Sequence, residues 1–198
     1  SYVLPLEEFI HKAKLAEGYG ADIIYLVDSA GGMLPEDVRR YITSLKEKTG
    51  CEIGFHGHDN LNLAIANTLE AIKCGATYID SSLQGMGRSA GNAQTEVLII
   101  LLDKLGYHLG IDIFKTMELG ERLVRPLMRE RHGVDSTAAV SGYAEFHSSF
   151  LSTVYKAAKM YNLDPKELIV EVSQRDKVHV TDELALETAK EIILTIVM

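Results

Sequence analysis

The chain has 198 residues, with 20 Lys and Arg against 28 Asp and Glu, a formal charge of −8. At 46% hydrophobic and 24% charged, with 4 prolines, it reads as a globular protein, not a disordered or fibrous one. The acidic balance argues against a general nucleic-acid binder, and the longest aliphatic run, Val97 to Leu102, is far short of the ~20 residues of a membrane span.

Pro5 opens a first helix in which Leu6, Phe9, Ile10, Ala13 and Ala16 recur at helical spacing, ending at Gly18 and Gly20. Asp22 to Asp28 (DIIYLVD) is a short, nearly continuous apolar run, the pattern of a buried parallel strand. Pro35, Val38, Ile42 and Leu45 mark a second helix, and Glu52 to His56 a second strand. Asn60 is placed to cap a helix running to about Lys73, with Leu63, Ala66 and Ile72 on its apolar face. Thr77 to Ser81 is predicted as a third strand, followed by a glycine-rich loop and a helix from Thr95 to Leu105. The strands start near 22, 52 and 77, and such βα alternation predicts a parallel sheet with right-handed crossovers. An open doubly wound sheet and a (β/α)8 barrel both fit that step. A whole barrel typically needs ~250 residues, so three βα units would be only part of one.

From Ile111 the strand pattern stops. Ile113, Met117, Leu123 and Leu127 keep helical spacing, broken near Gly120 and Pro126. Arg129 to Asp135 (RERHGVD) is predicted as a connector, and Ala138 to Tyr161 as one long helix. Asp164-Pro165 starts another helix, and Thr181 or Asp182 caps a last one. The shift in pattern places a domain boundary near Val124, dividing the chain into residues 1–123 and 124–198.

Three strand ends hold candidate chemistry. In FHGHDN (Phe55 to Asn60), alternation along a strand turns His56 and His58 the same way, and two imidazoles on one side can grip a divalent cation. Asp59 then faces away from them. Two unrelated polar histidines would leave the same short pattern. In QGMGRSAGN (Gln84 to Asn92), three glycines permit close backbone approach, although the segment is neither a dinucleotide fingerprint nor a Walker A loop. A tight turn with Asn92 as a helix cap explains it equally well. In DSAGG (Asp28 to Gly32), Ser29 could donate to a substrate carboxylate and Asp28 could accept behind it, or both could be ordinary turn residues. Arg88 is a candidate anion contact. His147, in EFHSSF, is a lone histidine on the predicted long helix, and His11, His108, His132 and His179 have no motif around them. The N-terminal SYVLPLEEF lacks the basic and apolar segments of a secretory leader, and Cys51 and Cys74 form no CxxC, so a cytoplasmic chain with reduced thiols is expected.

Taken in order, DSAGG, FHGHDN and IDSSLQGMGRSAGNA resemble the last three βα units of the metal-dependent lyase and synthase barrels. That group includes the 4-hydroxy-2-oxovalerate aldolases, 3-hydroxy-3-methylglutaryl-CoA lyases and 2-isopropylmalate synthases. LVRPL (Leu123 to Leu127), SGYAEFHSSFL (Ser141 to Leu151) and AAKMYNLDPKELIVE (Ala157 to Glu171) resemble the helical communication domain of the aldolase branch. The resemblance implies the C-terminal part of a (β/α)8 barrel followed by an all-helical domain that meets an acylating aldehyde dehydrogenase. It implies His56 and His58 as ligands of Mn²⁺ or Mg²⁺, Asn92 as a further metal contact, and Ser29 as a donor to the pyruvate carboxylate. The implied reaction cleaves a 4-hydroxy-2-oxoacid to pyruvate and an aldehyde, the metal acting as Lewis acid. In the family the third ligand, an Asp, and the neighbouring Arg and catalytic His stand on earlier barrel strands. A Tyr stands where this chain has His147, so His147 takes the catalytic position on the tail. A Claisen-type synthase or acyl-CoA lyase on the same platform, and a non-catalytic assembly module, are the alternatives. The incomplete ring of strands predicts an associated chain, homo- or hetero-oligomeric.

Overall fold

In the computed structural model, which describes residues 4–128 and 133–197, strands and helices alternate as far as Lys104 and helices follow. The order is α1 (Leu6–Gly18), β1 (Ile23–Asp28), α2 (Pro35–Lys48), β2 (Glu52–Gly57), α3 (Ala64–Lys73), β3 (Tyr78–Ile79) and α4 (Thr95–Lys104). Helix α2 shows why such boundaries are readable. Pro35 sits at its start, the Asp37 carboxylate accepts from the Leu34 N–H at 3.2 Å, and Lys46 and Lys48 close its last turn.

The three strands are parallel in the order β1-β2-β3, with Tyr25 opposite Gly54, Val27 opposite His56 and Phe55 opposite Ile79. One sheet face, with Ile24, Leu26, Ile53 and Phe55, packs on Val38, Ile42 and Leu45 of α2 and on Phe9 and Ala13 of α1. Tyr25, Val27 and His56 alternate onto the other face and stay partly exposed. Strand β3 is shorter than the predicted Thr77 to Ser81. Among the described residues its ladder rests on β2 alone, through Thr77 N–H to Ile53 O and Asp80 N–H to Phe55 O.

Asn60 does not cap α3. Asn62 takes a left-handed φ of 59°, which delays the helix to Ala64, and Asp59 Oδ1 accepts the Ala64 N–H at 2.9 Å instead. The buried residues of α3 are Ala64, Asn67, Thr68, Glu70 and Ala71, while Ala66 is exposed.

Beyond α4 come α5 (Ile113–Leu119), a π-helical segment Gly120–Val124 and a 3-10 turn Arg125–Leu127 around Pro126. Of the predicted connector, Arg129 to His132 lie outside the described residues. Asp135 caps α6 (Ser136–Tyr143) by accepting the Ala138 N–H at 2.7 Å. The single helix expected over Ala138 to Tyr161 is two. Helix α6 stops where Glu145 turns to φ 53°, Phe146 N–H returns to Ser141 O, and a 3-10 turn Ser148–Phe150 leads into α7 (Leu151–Tyr161). Helices α8 (Pro165–Arg175) and α9 (Asp182–Val197) follow, capped by Asp164 and by Thr181 Oγ1. A second core of Phe146, Val154, Leu168, Ile169 and Val172 holds α6 to α9 together.

Candidate functional site

His56 stands on β2 and His58 one residue past its end, on the same side of the chain. Their ring centroids are 5.1 Å apart with planes at 67°. His58 is 8% exposed. Burial, then the charges of His56, Arg88 and His147, hold its pKa down at about 4 against a hydrogen bond to the Arg88 backbone. It is therefore a neutral imidazole at pH 7, the form that ligates metals. His56 Nδ1 lies 3.2 Å from Asp80 Oδ2. A carboxylate oxygen accepts here, so in the neutral imidazole Nδ1 is the donor and Nε2 the nitrogen with the lone pair.

Asn92 pairs with His58 in an antiparallel bridge that folds the glycine-rich loop back over the strand end. It does not cap α4, whose N-cap is Gln94. Its Nδ2 donates to Met86 O at 3.1 Å, while Oδ1 is buried with no hydrogen-bond partner among the described residues. A buried, unsatisfied amide oxygen on the residue bridged to His58 is a feature a cation would satisfy. Among the described residues no three His, Cys, Asp or Glu side chains gather as a metal-binding group, so Asn92 is the third candidate donor here. By their chemistry, two imidazole nitrogens and an amide oxygen would make a neutral N/O set that fits a divalent cation, with further positions for water or substrate. Asp59 faces away, occupied at the start of α3.

The other expected residues fall nearby. Ser29 follows β1 one residue beyond the Asp28–Gly57 pair and is partly exposed. Asp28 is fully buried, and its carboxylate accepts from Gly32 N–H at 3.1 Å and Met33 N–H at 3.0 Å. Burial raises its pKa to about 6 despite those bonds. His147 is on the connector between α6 and α7 rather than on a helix, with its Nε2 3.1 Å from an Arg88 amino group. On the other side of the ring, Nδ1 accepts the Ser149 N–H at 3.2 Å and lies 2.7 Å from Ser149 Oγ. Burial, then Arg88, lowers the His147 pKa. The helical tail therefore closes on the strand ends through Arg88–His147 and through Asn60, whose Nδ2 donates to Ser89 Oγ and to Ala138 O.

Sequence reasoning missed Tyr25, Asp80 and the bridging role of Asn60. Tyr25 OH donates to Asp80 Oδ1 at 3.2 Å, and burial, then the Asp80 charge, raises the Tyr25 pKa. The available signal was Gly54 inside a strand, which marks close approach by another group.

The HMGL-like family model matches residues 3–123, and that of the DmpG-like communication domain matches residues 132–193. A 4-hydroxy-2-oxovalerate aldolase of Geobacillus thermodenitrificans is 43% identical over 192 residues, 97% of this chain and 56% of that one. Its counterpart in Thermomicrobium roseum is 44% identical over 193 residues, 98% of this chain and 54% of that one. The chain thus spans just over half the length of these curated relatives. Rhizobium etli pyruvate carboxylase superposes with a TM-score of 0.75 over 98% of this chain and 20% of that one, at 19% identity, a likeness of fold alone. The α/β sheet is accordingly part of a barrel of the (β/α)8 type, followed by the helical domain. With most of its length matched by that family's model, the chain belongs to the HMGL-like family.

Proposed function

We propose that this chain supplies the metal-binding half of an aldolase that cleaves a 4-hydroxy-2-oxoacid into pyruvate and an aldehyde. The observation that carries the reading is the His56–His58 ring pair, with the buried, unpartnered Oδ1 of Asn92 on the residue bridged to His58, in a chain whose relatives are named as such aldolases. His56 through Nε2, His58 and Asn92 would hold Mn²⁺ or Mg²⁺. Bound there, the cation would supply Lewis acidity toward the 2-oxo group. Ser29 donates to the substrate carboxylate from the end of β1. His147, its pKa lowered by burial and by Arg88, assists proton transfer at Nε2, 3.1 Å from the Arg88 amino group. The reading requires barrel strands beyond the three described here, carrying a carboxylate ligand and a further base.

The proposal extends to organisation. Residues 1–123 form the metal-binding region and residues 124–198 the domain that docks an acylating aldehyde dehydrogenase, in a cytoplasmic oligomer. No helix of the described residues is long and apolar enough to cross a membrane.

Mn²⁺ titration followed by electron paramagnetic resonance tests the centre. Binding is expected in the wild type and should fall at least about 100-fold in His56→Ala and His58→Ala. Equal affinity in all three proteins would refute it. In the assembled enzyme, pyruvate should be released from a 4-hydroxy-2-oxoacid, and condensation with an acyl-CoA in its place would favour the synthase alternative.

A further inference from the structure

Tyr25, His56 and Asp80 come from, or directly follow, three neighbouring strands, and they meet on the partly exposed sheet face. Tyr25 is paired in register with Gly54, two residues before His56. A Cβ on Gly54 would lie 2.5 Å from the Tyr25 ring, so that ring lies across the central strand. Only a residue without a side chain leaves that path open, and Tyr25 OH thereby reaches Asp80 Oδ1 at 3.2 Å. The other carboxylate oxygen, Oδ2, is 3.2 Å from His56 Nδ1.

We propose that Tyr25 and Asp80 are positioning residues that fix the tautomer and ring direction of His56, with Gly54 as the gap through which Tyr25 acts. The proposal rests on the metal reading above and names what prepares its first imidazole. Magnitudes favour orientation over stability as the purpose. Side chains of Asp80 and His56 are 47% and 25% exposed, and a pair that open to water contributes little to folding. A carboxylate hydrogen-bonded to the outer nitrogen of a ligating histidine instead affects metal affinity about 10- to 100-fold. An exposed aspartate on its own would sample several rotamers, and the Tyr25 hydroxyl holds it in one. With both oxygens engaged, Asp80 stands behind His56 rather than beside the cation.

The test compares wild type, Asp80→Asn, Tyr25→Phe and Gly54→Ala in the full chain, with circular dichroism to confirm folding. In metal-free protein, long-range ¹H–¹⁵N spectra of the histidine rings should show His56 in the Nδ1–H form. Asp80→Asn should shift it toward the Nε2–H form, with Tyr25→Phe and Gly54→Ala shifting it less. Mn²⁺ affinity should fall about 10- to 100-fold in Asp80→Asn and less in the other two. An unchanged tautomer in Asp80→Asn overturns the proposal, with or without a loss of metal. Loss of Mn²⁺ as complete as in His56→Ala, with the tautomer intact, would make Asp80 a ligand. If the wild type binds no Mn²⁺, the metal reading fails, whereas the tautomer spectra still decide the positioning.

Discussion

Asp28 carries a buried carboxyl whose pKa rises from 3.8 to about 6 because the folded chain removes it from water. The sign follows directly. The native state binds this proton more tightly than the unfolded chain, so Asp28 ionisation lowers stability as pH rises from about 4 to about 6, and the loss persists above. A displacement of that size corresponds to about 3 kcal/mol. Asp28→Asn forfeits part of the bonding to Gly32 and Met33, so its absolute stability is not the readout. The expected result is that the variant gains on wild type by about 3 kcal/mol between pH 4 and pH 7 in urea denaturation, and a constant difference would refute it. Position along the strand made the histidine pair legible, since a period of two needs no distant information. The same alternation turned Asp59 away, and the structure agrees. Asn60 and Asp80 were not legible. Asn60 bonds to Ala138, 78 residues on, and Asp80 to Tyr25, 55 residues back, and no local pattern encodes such partners.

Elements were readable where capping and periodicity coincide, as in α1, α2 and α8, each opened by a proline at or next to its first residue. They were misread where a left-handed residue interrupts a helical pattern, as Glu145 does between α6 and α7. That break matters because it brings His147 off the helix and toward Arg88. It also accompanies a backbone-on-backbone contact between the loop after β1 and α6. A Cβ on Gly32 would lie 2.4 Å from Gly142 O, and one on Gly31 2.6 Å from Asn60 N. Neither neighbour is a flexible side-chain end, so backbone has to move. Gly32→Ala is expected to destabilise by about 1–3 kcal/mol. Gly18→Ala is the matched control, since nothing lies within 4 Å and the residue ends α1, so it should be neutral or stabilise by up to about 1 kcal/mol. Chemical denaturation of the two variants checks this, and equal effects would mean that the Gly32–Gly142 contact yields freely.

At the scale of the molecule, the βα step made the parallel sheet readable and the loss of alternation after Ile111 made the helical tail readable. How the tail sits on the strand ends was not, because it depends on contacts such as Arg88–His147 rather than on any repeating pattern. The two apolar cores are separate. One is built on Leu26, Ile42, Leu45 and Phe55, the other on Phe146, Val154, Leu168 and Val172, and polar or glycine contacts join them. Arg88–His147 is open to water and couples weakly, and the buried Asn60–Ala138 bond is a single polar contact, so the proposed division at residues 123 and 124 predicts two unfolding transitions rather than one. Ile42→Ala and Leu168→Ala each empty a fully buried position and should each cost about 2–5 kcal/mol. Ile42→Ala should lower only the transition of the sheet, read by amide exchange at Leu26 and Phe55. Leu168→Ala should lower only that of the helical tail, read at Val154 and Val172. A single transition displaced equally by both substitutions would show one cooperative unit, with the junction at Gly32, Asn60 and Arg88 strong enough to weld the two cores together.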